Sequence, residues 1–204
     1  MSITGVIFFG DSILAGTGSS ERNKSCAKIV KTALSVPVSL KGRNWNTSLD
    51  GLARLETDVL KQKNMSHVII LFGNNDCWPD DKGEPTIAVE QLKTNLRIMV
   101  SSIQANQQTP VICNLQLIDQ KKIEAYPSNK LGHNLSLYSS VEIHEAYSKA
   151  IEKVAAEVAV EFIDIRSPLA ECGREVIAID GLHPNDLGHQ IVAQSILNFL
   201  GKFS

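Results

Sequence analysis

The sequence carries no excess of charge of either sign. Its 204 residues include 20 Lys and Arg against 22 Asp and Glu, a formal net charge of -2 at pH 7. A protein that binds nucleic acid or an anionic membrane surface usually carries a basic patch that shifts this balance. We therefore expect no nucleic-acid partner.

Cysteine pairs and long apolar runs are also missing. The four cysteines form no C-x-x-C pair, which disfavours a zinc site and predicts reduced, structural thiols. No apolar run approaches the roughly 20 residues of a membrane span. Residues 1–9 have no Lys or Arg ahead of a short apolar run, unlike a signal peptide. These absences predict a cytoplasmic protein without a membrane span.

Two common motifs are lacking as well. The chain has no Gly-x-Ser-x-Gly segment, which disfavours the usual nucleophile turn of α/β-hydrolases. It has no Walker A segment, and Gly16 and Gly18 are not followed by a third glycine, because Glu21 stands there. Nucleotide binding therefore loses its main support.

What is present is an ordinary globular composition, 43% hydrophobic, with short apolar runs alternating with segments of helical period. The length suits one domain over residues 1–204. We predict a doubly wound, flavodoxin-like α/β fold with helices on both faces of a parallel five-stranded sheet, in the order 2-1-3-4-5. The predicted strands span residues 3–9, 36–40, 67–72, 110–117 and 160–165.

Three details of the remaining chain are also predicted. Residues 118–139 show no clear period, so we expect a loop near the site, with His133 in it. Asn185 is a candidate N-cap of the last helix. Arg54 lies on the second helical stripe and is expected to point to solvent.

Candidate functional residues follow the predicted strands, at the sheet edge where ligands bind in such folds. Gly10-Asp11-Ser12 follows the first strand and would hold a serine hydroxyl on rigid scaffold. Asn75 follows the third strand and could donate its amide to developing negative charge. Each signal alone is also ordinary turn chemistry.

A third signal lies near the C-terminus, where Asp180 precedes His183 by three residues. An aspartate at this spacing can hold an imidazole in the tautomer that a general base needs. The histidines outside this motif and outside residues 118–139 are discounted. His67, His144 and His189 have no aspartate three residues before them and are interpreted as solvated or structural.

Together, Gly10-Asp11-Ser12, Gly73-x-Asn75-Asp76 and Asp180-x-x-His183 resemble sequence blocks of the SGNH hydrolases, also called GDSL-type esterases and lipases. The family's second block carries a glycine whose amide binds the oxyanion. Asn46-Thr47-Ser48-Leu49-Asp50-Gly51 is similar to it, which makes Gly51 the candidate. Asp50 stands where serine is usual, so its side chain is expected to face away from the oxyanion.

The resemblance implies a serine hydrolase that cleaves carboxylic esters of short-chain acyl or O-acetyl groups through an acyl-enzyme. Ser12, His183 and Asp180 would form the triad, and the amides of Ser12, Gly51 and Asn75 the oxyanion hole. Trp78 could form a wall of the substrate pocket, and a packing role is the alternative for a single tryptophan. No metal or organic cofactor is implied, and the partner is a small ester.

Other functions stay open at this point. Within the enzyme class, the chain could be a lysophospholipase or a thioesterase. From another class, it could be a binding module in which residues 10–18 cradle a phosphate without turnover. Oligomeric state is not indicated by the sequence.

Overall fold

A parallel sheet of five strands forms the centre of the computed structural model, which describes residues 2–80, 82–126 and 140–203. The strand order is β2-β1-β3-β4-β5, which confirms the predicted fold class and order. In chain order the strands are β1 (Val6–Gly10), β2 (Val38–Gly42), β3 (His67–Leu71), β4 (Thr109–Cys113) and β5 (Glu161–Ile163).

Helices cover both faces of the sheet. They are α1 (Ser12–Ala15), α2 (Cys26–Ala33), α3 (Ser48–Leu55), α4 (Val89–Ala105), α5 (Gln120–Ala125), α6 (Val141–Glu157), α7 (Arg166–Cys172) and α8 (Asp186–Leu200). A π-helical turn, Glu56–Leu60, continues α3. No helix in the described part of the chain is both long and apolar enough to cross a membrane.

The core consists of two layers, one on each side of the sheet, because successive strand residues point to opposite faces. In β1, Phe8 packs in the layer that includes α2 and α8, whereas Phe9 packs in the layer that includes α3, α4 and α6. All five residues of both β1 and β3 are buried. The central strands therefore give the functional residues a rigid base.

The strand boundaries differ from the predictions by a few residues. The strand predicted over residues 110–117 ends at Cys113, and the side chain of the next residue, Asn114, accepts hydrogen bonds from the N–H groups of Ile165 and Arg166, which follow β5. The short strand β5 covers only Glu161–Ile163. Apolar runs continue beyond the hydrogen-bonded ladders, so hydropathy overestimates strand length.

The segment predicted as one long loop over residues 118–139 is partly helical, so that prediction was wrong for its first part. Asp119 caps α5 by accepting hydrogen bonds from the N–H groups of Lys121 and Lys122. The helix has only six residues, too few to show a period. Residues 127–139, with His133, lie outside the described residues. At the other end of the chain, the predicted N-cap Asn185 is confirmed, since its side chain accepts from the N–H of Gly188.

Candidate active site

A pocket with a volume of about 120 Å³ opens at the carboxyl ends of the strands. The pocket brings together residues from both ends of the chain, and its lining includes Ser12, Ile13, Thr17, Asn44, Trp45, Asn74, Asn75, Trp78, Gln116, Leu182 and His183.

Ser12 is positioned by the turn between β1 and α1. Asp11 is the N-cap of this short helix, and its Oδ1 accepts a hydrogen bond from the N–H of Ile13 at 3.0 Å. Ser12 is the first helical residue, so its N–H has no acceptor within the helix. The hydroxyl and this N–H therefore belong to one rigid turn beside the pocket.

His183 lies between Ser12 and Asp180. Its Nε2 is 3.0 Å from Oγ of Ser12, and its Nδ1 is 2.7 Å from Oδ2 of Asp180. All three residues are buried, with relative exposures of 7–8%. Because the Asp180 carboxylate accepts from Nδ1–H, Nε2 is left as the acceptor for the hydroxyl of Ser12.

The turn that carries Asp180 and His183 is held from two sides. Oδ1 of Asp180 accepts from the N–H groups of Leu182 and His183. Burial alone would raise the pKa of Asp180, but the hydrogen bond and charge of His183 together with these N–H groups hold it below its usual value. Gly181 lies between Asp180 and His183, with φ of 77°. It packs against the backbone of Asp119, which leaves no room for a side chain.

Asn75 lies at the pocket, and its side-chain amide already donates one hydrogen bond. Its Nδ2 donates to the backbone carbonyl of Asn46 at 2.9 Å, so one N–H of the group is used and one remains. The structure thus brings Asn75 to the same pocket as Ser12 and His183. Trp78 also lines this pocket, in edge-to-face contact with Trp45 at 5.9 Å between ring centroids.

Gly51 does not lie at this site, so its prediction as an oxyanion donor was wrong. Its N–H donates to the carbonyl of Thr47 within α3. A Cβ at this position would lie 2.7 Å from both the Phe72 ring and Cε of Met99, so Gly51 packs in the core. The expectation for Asp50 was correct: its carboxylate caps α3 through the N–H and hydroxyl of Thr47.

Two residues just before that helix line the pocket instead, Asn44 and Trp45. Trp45 has φ of 66°, a left-handed backbone that bulky residues seldom adopt. Nothing in the sequence signals this conformation at a tryptophan.

Arg54 is buried, with 7% exposure, so the expectation that it points to solvent was wrong. Its guanidinium lies over the Phe9 ring at 4.5 Å and forms an ion pair with Asp58 at 2.8 Å. Burial lowers the pKa of Arg54, and Asp58 opposes that effect. A spacing of four residues on a helix favours an ion pair between Arg54 and Asp58. The sequence did not show that this pair faces the interior of the protein.

Asn74 is a further residue that the sequence reading did not single out. Its Nδ2 donates to Oδ2 of Asp11, and its Oδ1 lies 2.9 Å from Nε2 of His144. The Asn74 side chain therefore ties the Ser12 turn to α6. His144 is fully buried, as a structural histidine would be, and burial lowers its pKa to about 3.

Two of the predicted histidines have structural roles like that of His144. The Nδ1 of His189 accepts from the N–H of Cys26, and its Nε2 bonds the carbonyl of Thr17. His67 is buried with its Nδ1 2.9 Å from Oγ of Ser66. These contacts agree with the interpretation of both residues as structural.

Comparison with known proteins gives the same class. The family model of the GDSL-like Lipase/Acylhydrolase family matches residues 8–191. An acetylxylan esterase of Geobacillus stearothermophilus is 25% identical over 220 residues, covering 96% of this chain and 93% of that protein. A crystal structure of a Geobacillus stearothermophilus acetylxylan esterase aligns with a TM-score of 0.72 at 23% identity, covering 98% of this chain and 95% of the other.

A lipase/acylhydrolase of Enterococcus faecalis aligns with a TM-score of 0.74 at 24% identity, over 99% of this chain and 97% of the other. These two structural matches establish the shared fold. The family match defines the protein as a carboxylic ester hydrolase, and the sheet on which it is built is parallel. The chain belongs to the GDSL-like lipase/acylhydrolase family.

A buried carboxylate beside Asn75 makes stability depend on pH. Asp76 is fully buried and accepts hydrogen bonds from the N–H and hydroxyl of Ser48. Burial raises the pKa of Asp76 from 3.8 to about 7 in spite of those bonds. The folded state therefore holds a proton that the unfolded state releases, and stability falls as pH rises from about 4 to about 7.

We expect the stability advantage of the native protein over Asp76→Asn to shrink across that range, as measured by urea unfolding at several pH values. Asp186→Asn is the control. Hydrogen bonds from Ser20 and Lys24 lower the pKa of Asp186 to about 2, so its contribution is lost only in acid. Its difference from the native protein should stay flat between pH 5 and 8. A native advantage over Asp76→Asn that grows with pH would contradict this account.

Proposed function

We propose that the protein hydrolyses carboxylic esters of short-chain acyl or O-acetyl groups through a covalent acyl-Ser12 intermediate. The observation that carries the proposal is the alignment of three groups: Ser12 Oγ, His183 and Asp180, joined by contacts of 3.0 and 2.7 Å. A nucleophile, a base and a group that orients the base within hydrogen-bond distance form the arrangement that nucleophilic catalysis requires.

In the first half of the reaction, Oγ of Ser12 adds to the ester carbonyl carbon and its proton passes to Nε2 of His183. The C=O electron pair moves to the oxygen, which becomes an oxyanion. The buried Asp180 carboxylate stabilises the imidazolium. When the tetrahedral species collapses, the bond to the alcohol oxygen breaks, and the alcohol leaves with the proton from Nε2.

In the second half, water attacks the acyl-Ser12 carbonyl while His183 takes one of its protons. Collapse of the second tetrahedral species breaks the bond between the acyl carbon and Oγ, and His183 returns the proton to Ser12. The acid leaves, and the enzyme is restored. Every proton transfer uses the same imidazole nitrogen, which explains why the tautomer set by Asp180 matters.

Two donors are suited to the oxyanion in both halves. One is the N–H of Ser12, which has no acceptor within α1 because it lies at the start of that helix. The other is the second amide N–H of Asn75, whose first is anchored on Asn46. One side-chain donor of this kind is typically worth about 10²- to 10³-fold in rate.

The pocket and the curated relative both support small acyl groups. The pocket volume of about 120 Å³ leaves room for a small acyl group, and the indole rings of Trp45 and Trp78 form part of the pocket wall. The acetylxylan esterase at 25% identity supports acetyl groups on a carbohydrate as the first substrates to examine.

Replacing Ser12 tests the mechanism directly. Ser12→Ala removes the nucleophile but leaves the fold, so kcat for p-nitrophenyl acetate should fall roughly 10⁴-fold or more. A fluorophosphonate should add to the native protein at Ser12, as peptide mass spectrometry would show, and not to the variant. Ser19→Ala, in the same loop with its Oγ on the carbonyl of Gly16, is the control and should keep native activity. Native turnover or labelling in Ser12→Ala would disprove the acyl-Ser12 mechanism.

A substrate series tests the acyl preference. Because the pocket is small, kcat/KM should fall about 10-fold or more from p-nitrophenyl acetate to p-nitrophenyl octanoate. Two further assays accompany this series: acetate release from acetylated xylooligosaccharides and fatty-acid release from a lysophospholipid. A maximum at octanoate, or faster cleavage of the lysophospholipid, would overturn the proposal of short acyl groups.

A further inference from the structure

Besides its ion pair with Asp58, Arg54 donates three further hydrogen bonds. Its Nη2 donates to the carbonyl of Gly10 at 2.8 Å, its Nη1 to the carbonyl of Lys41 at 2.9 Å, and its Nε to Oδ1 of Asn46 at 2.7 Å. A guanidinium presents its donors in a fixed planar fork, so these acceptors are held in one geometry.

The acceptors belong to segments that lead to the active site. Gly10 ends β1, two residues before Ser12, and Lys41 is near the end of β2. Asn46 follows Trp45, which lines the pocket. The guanidinium itself is fixed between the Phe9 ring below it and the Asp58 carboxylate. Arg54 thus joins two strand ends and the loop after β2.

The loop contact continues to Asn75. The side chain of Asn46 accepts from Arg54, and the backbone carbonyl of the same residue accepts from Nδ2 of Asn75. An amide NH₂ group is planar, so anchoring one N–H fixes the direction of the other. The direction of the free N–H of Asn75 therefore depends on where Asn46 is held.

We propose that Arg54 is a positioning residue that acts through Asn46 to aim the free amide N–H of Asn75 at the oxyanion. This inference rests on the proposed function, in which Asn75 is an oxyanion donor. Arg54 touches no substrate atom in this account. Arg54 contributes to the transition state, because the amide of Asn75 meets a full negative charge only when the oxyanion forms.

A double-mutant cycle tests the proposal with p-nitrophenyl acetate. Asn46→Ala removes the acceptor of Arg54 but keeps the backbone carbonyl, and it should lower kcat about 10-fold with little change in KM. Asn75→Ala should lower kcat about 10²-fold. In the Asn75→Ala background, Asn46→Ala should cause no further loss, because the donor that Asn46 positions is already gone.

Two further variants keep the test decisive. Asn46→Asp retains an oxygen acceptor for Nε of Arg54 and should keep more of the native kcat than Asn46→Ala. Arg54→Lys cannot bond all the acceptors at once, and the share of its loss in kcat that passes through Asn46 should vanish in the Asn75→Ala background. Thermal unfolding by circular dichroism gives the folded fraction to which each rate is referred.

The outcomes separate the two proposals. If Asn75→Ala lowers kcat but the losses of Asn46→Ala and Arg54→Lys add to it in full, Arg54 has a general structural role and the positioning proposal is overturned. If Asn75→Ala leaves kcat unchanged, the oxyanion role of Asn75 fails and the positioning proposal with it.

Discussion

The hydrogen bond between Ser12 and His183 joins residues 171 positions apart, and it depends on the parallel sheet. In such a sheet every strand ends at the same edge, so the turns after β1 and β3 and the loop before α8 meet there. The strands beneath are buried on both faces. A serine, an imidazole and amide donors can therefore face one pocket without any of them lying near the others in sequence.

Polar groups buried under that edge hold the turns in place. Asp11, Asn74 and His144 form one chain of hydrogen bonds beneath Ser12. Arg54 and Asp58 form a second buried group beneath the loop after β2. Burying charge costs stability unless it is well paired, which is visible in the pKa of Asp11, raised by burial to about 6. The polar scaffold thus favours a fixed site over maximal stability.

The sequence predicted the sheet order and the pocket residues Ser12, Asn75, Trp78 and His183, because strand ends and the Asp180-x-x-His183 spacing are local signals. Arg54 was misjudged because a charged residue on an amphipathic helix usually faces water, and its acceptors come from distant backbone atoms. The prediction for Gly51 was wrong because this residue lies in α3, where its N–H donates to the carbonyl of Thr47. Which atoms a residue meets across the fold is not a local property.

The central claim is that Ser12 attacks a carbonyl whose oxygen is held by the N–H of Ser12 and the amide of Asn75. A crystal structure of the protein after reaction with a methyl fluorophosphonate measures this most directly. The account predicts a bond from phosphorus to Oγ of Ser12, with the phosphoryl oxygen within about 3.2 Å of both nitrogen atoms. Phosphorus on another residue, or a phosphoryl oxygen turned away from both donors, would contradict it.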